Sequence, residues 1–71
     1  MKYLVVIEKG PASYGAYVPD LPGCVAVAKT RRRVKRLIQE AVQLHVDDMR
    51  ERGYPIPKPM AASEFVELQS A

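Results

Sequence analysis

Apolar positions recur along the chain with two different periods. Between Thr30 and Gly53 they follow the helical repeat of about 100° per residue. Val34, Leu37, Ile38, Ala41, Val42, Leu44, Val46 and Met49 fall on one face, with Lys35, Arg36, Gln39, Glu40, Gln43, Asp47, Arg50 and Glu51 opposite. That pattern predicts one long amphipathic helix with a wide apolar side. Thr30 stands where an N-cap is needed, and Gly53 followed by Pro55 stands where a helix stops. A wide apolar side needs something flat to lie on. Short runs of strand character at residues 2–9, 14–18, 24–28 and 64–68 supply it. Short turns between the first three favour an antiparallel meander. In Tyr54-Pro55-Ile56-Pro57-Lys58-Pro59 each residue before a proline is held extended, so this segment carries the chain back from the helix end. The reading is an α+β fold in the order β-β-β-α-β. One helix lies on a small, mostly antiparallel sheet of three or four strands, in a single domain over residues 1–71. The pattern leaves open whether the last strand pairs with its own sheet or with that of another subunit.

Length and charge refine this picture. A chain of 71 residues is one small domain, and a domain of that size buries only about 60% of the surface its unfolded chain exposes. The unbroken apolar run from Tyr3 to Ile7 predicts burial on both faces. Together with unpaired strand edges, it points to a homo-dimer or tetramer. There is a single cysteine, so neither an intramolecular disulfide nor a cysteine-based metal site is expected. No run approaches the roughly 20 apolar residues of a membrane helix, and the N-terminus does not read as a signal peptide. A soluble protein of the cytoplasm is expected. The net charge of +3 is modest but unevenly placed, because Lys29, Arg31, Arg32, Arg33, Lys35 and Arg36 cluster.

That cluster is the sharpest conflict in the sequence. Arg31, Arg32 and Arg33 occupy the first helical turn, where the helix dipole disfavours cations. A capping box would place Glu or Gln at position 33. Local conflicts of this kind concentrate at functional places. With Lys35 and Arg36, these residues are candidates to bind an anion, a nucleic acid or an acidic partner. The plainer alternative is a solvated face of no energetic weight. His45 sits on the apolar face, with Asp48 near enough in sequence to orient its imidazole. With no second histidine it reads as a structural residue rather than a metal ligand or base. Cys24 reads as a small core residue, Asp20 as a turn former, and the tyrosines as sheet residues rather than base-stacking platforms. The carboxylates are too scattered for a two-metal nuclease. No metal, cofactor or catalytic residue is expected.

At Tyr14-Gly-Ala-Tyr-Val-Pro-Asp-Leu-Pro-Gly-Cys24 the chain resembles the HicB-like antitoxin family. Thr30 opening the helix, Leu37-Ile38-Gln39-Glu40-Ala41 with Leu44-His45, and Gly53-Tyr54-Pro55-Ile56-Pro57-Lys58-Pro59 extend the match over nearly the whole chain. The motif loop comprises Tyr17, Pro19, Asp20, Leu21, Pro22, Gly23 and Cys24. The resemblance implies a partial ribonuclease-H-like fold without ribonuclease activity. It also implies a protein partner, a small mRNA-cleaving toxin of the HicA type, neutralised by oligomers that cover its active site. Many members carry a C-terminal DNA-binding domain. This sequence, ending at Ala71, is expected to be a short form without one. Members usually carry acidic residues where Arg31, Arg32 and Arg33 stand here. Either the toxin docks elsewhere, or the basic cluster serves a solitary nucleic-acid-binding or regulatory module.

Overall fold

A computed structural model describes residues 1–69. Three strands and one helix follow in chain order: β1 (Val6–Lys9), β2 (Tyr14–Tyr17), β3 (Val25–Ala28) and α1 (Arg31–Glu51). The strands form an antiparallel sheet in the order β1-β2-β3. Val6 pairs with Tyr17 and Tyr17 with Val25; Ile7 pairs with Ala16 and Ala16 with Ala26. Strand periodicity then sorts the side chains. Ile7, Tyr14, Ala16, Ala26 and Ala28 pack into or against the core beneath α1. Three of these five are alanines, which lets the helix approach closely. The fold class expected from the pattern is the one observed.

α1 begins and ends where the sequence says it should. The Thr30 backbone is extended (φ −129°, ψ 155°), and its hydroxyl accepts the Arg33 N–H at 3.1 Å. At the other end Gly53 adopts φ +73°, which a side-chain-bearing residue rarely tolerates. Its N–H donates to the Arg50 carbonyl at 3.1 Å, and the Tyr54 N–H to the Met49 carbonyl at 2.9 Å. The two bonds make a Schellman close that satisfies carbonyls the helix would leave free. Val34, Ile38 and Val46 are buried, with Ala41, Val42 and Met49 half-buried around them. Leu44 departs from the expected apolar face: it is 71% exposed. It lies about 120° around the helix from Ile38, beyond the reach of a sheet only three strands wide.

The strands are shorter than expected. Residues 2–5 lie outside the ladder, although Tyr3 and Val5 still pack against the core. The expected fourth strand at 64–68 is not formed. Every residue from 62 to 69 is exposed, and none belongs to a sheet. The cause lies upstream. Ile56 packs on the core, the Tyr3 hydroxyl donates to the Pro57 carbonyl, and Asp20 Oδ2 accepts the N–H groups of Met60 and Ala61, each at 3.0 Å. Past this clamp the chain meets no strand edge of its own. The radius of gyration, 14.3 Å, accordingly exceeds the roughly 11 Å of a compact chain of this length.

Candidate functional site

The loop between β2 and β3 closes one end of the sheet. Pro19 and Pro22 limit its backbone, and Gly23 takes φ +86°. The Leu21 N–H donates to the Val18 carbonyl at 3.0 Å, and the Cys24 N–H to the Leu21 carbonyl at 3.1 Å. These turns drive Leu21 into the core, where it is 1% exposed between the buried Val18 and Cys24. Burial pushes the Cys24 thiol above its ordinary pKa, which keeps it protonated. Pro19, Pro22 and Gly23 are exposed, Asp20 is half-buried, and Tyr17 is 40% exposed. Asp20 is more than a turn former. Its carboxylate reaches a segment 40 residues later and fixes where the chain's final stretch departs. No local pattern in the sequence signals that partner.

The basic cluster lies at the opposite end of the sheet. Arg31, Arg32, Arg33, Lys35 and Arg36 are all exposed, and the first turn of α1 carries no acidic residue. Thr30, Arg32, Arg33 and Arg36 line a shallow open depression. Lys35 points the other way, to the rim of a groove between α1 and the N-terminal segment. Lys35 is therefore separated from Arg32, Arg33 and Arg36.

His45 is half-buried on α1. Asp48 does not orient it. Both Asp48 oxygens instead accept from the Arg52 Nε, at 3.1 and 3.0 Å, one helical turn on. Among the described residues, no three of His, Cys, Asp and Glu gather where they could hold a metal ion.

A third surface was not singled out by motif. On the sheet face away from α1, the ladder sets Val6, Tyr17 and Val25 in one row, with Val27 beside them on β3. Val25 is 63% and Val27 67% exposed. The signal was present in Cys24-Val25-Ala26-Val27-Ala28. The small residues face the helix, so the large ones must face out.

Comparison with known proteins settles the family. The model for the HicB-like antitoxin of bacterial toxin–antitoxin systems matches residues 3–70. The chain belongs to the HicB-like antitoxin family. A UPF0150 protein of Thermoplasma acidophilum is 34% identical over 62 residues, covering 86% of this chain and 90% of that one. A UPF0150 protein of Archaeoglobus fulgidus is 31% identical over 70 residues, covering 97% of this chain and 90% of its own length. An uncharacterised 14.9 kDa protein of Haemophilus phage HP1 is 30% identical over 66 residues; the match takes in 93% of this chain but only 50% of the phage protein. The motif loop, the capped helix and the proline segment all lie inside the family match. In this HicB-like chain they form one connected scaffold, with Leu21 and Asp20 joining the sheet to the returning segment. No described helix is long and apolar enough to cross a membrane.

Proposed function

We propose that this HicB-like chain is a non-enzymatic antitoxin that binds a small mRNA-cleaving toxin of the HicA type and covers its catalytic surface. Membership of the family across residues 3–70 carries the reading. The exposed row of Tyr17, Val25 and Val27 supports a protein as the partner. Apolar side chains displayed together on a sheet face suit a protein surface and offer nothing to a phosphate backbone. Toxin docking on this face keeps a basic partner away from Arg31, Arg32 and Arg33, which lie on the helix, and so avoids like-charge repulsion. The protein acts as a homo-oligomer in the cytoplasm, where messenger RNA is cut.

The test is affinity capture of the protein from its native cells, with and without nuclease. A small basic protein recovered at equal stoichiometry, and retained after nuclease treatment, is the expected result. Recovery of nucleic acid alone would overturn the reading. It would favour instead a nucleic-acid module built on Arg31, Arg32, Arg33 and Arg36, at the open depression on the helix start. Salt separates the two. Duplex DNA binding through phosphates falls with a log–log slope of about −0.9 per contact, whereas docking on the valine row retains affinity as salt rises.

A further inference from the structure

Two features of the chain match each other but do not meet within one molecule. The first is the final stretch. Glu64-Phe65-Val66-Glu67-Leu68 has strand character, yet Phe65 is fully exposed, Val66 86% and Leu68 89%. The second is a groove of about 480 Å³ between the free edge of the sheet and α1. Val5, Ile7, Ile38 and Val42 line it, with Lys2 and Lys35 among its walls. β1 and β3 are both edge strands, and the groove lies beside β1, whose outer edge is free to pair. Free edges and exposed apolar segments are both liabilities that native proteins cover.

We propose that the two features meet between copies: the stretch Glu64–Leu68 of one chain lies beside β1 of a second copy and fills its groove, and the second copy returns the exchange. Strand periodicity fits this arrangement. In an extended chain Val66 and Leu68 share one side and Phe65 takes the other. Beside β1, Val66 and Leu68 then meet the groove floor, and Phe65 lies alongside Leu4 and Val6 on the face away from α1. Glu64, on the same side as Val66 and Leu68, brings negative charge to a groove bearing Lys2 and Lys35 and flanked by the basic start of α1. The clamp at Asp20 explains why exchange is favoured over folding back. It fixes the chain at Met60 and Ala61 and directs the residues beyond them away from its own body, where 62–69 are exposed throughout. Each copy gives one final stretch and offers one groove, so the exchange closes on itself as a two-fold dimer. The inference is independent of any toxin.

The test uses the full chain and a Phe65→Asp/Leu68→Asp variant. Both positions are exposed in the single chain, so the variant folds and keeps the wild-type circular dichroism. Light scattering should give twice the 7.9 kDa chain mass for the wild type and dimerisation at least tenfold weaker for the variant. A wild type that stays monomeric at all concentrations, or a variant that dimerises equally well, overturns the proposal. Disulfide trapping distinguishes exchange from folding back, using Gln39→Cys in one chain and the groove-facing Val66→Cys in another, both with Cys24→Ala. A cross-link between the mixed chains is expected. No cross-link between the mixed chains, with a bond forming instead inside a control chain that carries both cysteines, would overturn the exchange.

Discussion

Asp20 shows how much one side chain can organise. Its carboxylate joins the β2–β3 loop to the N–H groups of Met60 and Ala61 and so decides where the last stretch leaves the molecule. Hydrogen bonds to a charged group contribute on the order of 1.5–3 kcal/mol when well formed, and less where, as here, the groups are partly exposed. Asp20→Ala should therefore cost about 1 kcal/mol of stability. The amides of Met60 and Ala61 should exchange with solvent much faster while those of α1 hold. Unchanged exchange at those two amides would mean that the clamp does not form. Cys24 makes a second prediction. Its thiol is raised by burial, so it should resist alkylation until the protein unfolds. The unfolded thiol ionises near pH 8.5 while the folded one is still protonated. Its contribution to stability is therefore fully present below that pH and declines above it. A Cys24→Ala comparison in alkaline urea titrations isolates the contribution.

At the level of elements, α1 carries a conflict with its own dipole. Arg31, Arg32 and Arg33 stand in a turn with no acidic residue, and only the Thr30 cap supports the start. Replacing Arg31 and Arg32 with Glu should raise stability by roughly 0.3–1 kcal/mol per residue at low salt. The gain should shrink as salt screens the surface. Thermal denaturation at two ionic strengths checks this; a loss of stability would mean that the arginines hold a native contact. The helix was legible in sequence because its signals are local: a cap, a period and a stop. The three strands were legible for the same reason, apart from the shortened first one. The strand expected at 64–68 was not, because a strand needs a partner edge, and propensity cannot say whether one is within reach. Leu44 failed for a related reason. A helical face is drawn by angle alone, whereas its burial depends on how wide a sheet lies beneath it.

For the whole molecule, the design is a thin one. Among the described residues, seven buried side chains, from Ala16 to Val46, form the core. Among the large apolar groups left outside are Val25 and Val27 on the sheet face, Leu44 on α1, and Phe65, Val66 and Leu68 on the final stretch. The motif loop, prominent in sequence, proves to be a structural joint: Leu21 and Cys24 plug the core while Asp20 holds the returning chain. The surfaces left for partners are less conspicuous in sequence, because an outward-facing valine on a short strand looks like any other valine. The alternation of small and large residues over residues 24–28 carries the signal, and the register, with Ala26 and Ala28 packed toward the helix, bears it out. The resemblance to HicB-like proteins located the family, and the geometry divides the chain into a scaffold and the faces it presents.

The most direct test of the antitoxin reading is an RNA-cleavage titration. The small protein captured with this chain would be purified free of it and mixed with messenger RNA while the chain is added back in increasing amounts. Cleavage should fall linearly and stop at a fixed stoichiometry. A Val25→Lys/Val27→Lys variant with unchanged circular dichroism should need at least tenfold more protein. If cleavage continues unchanged past a several-fold excess of the wild-type chain, the protein does not neutralise that enzyme.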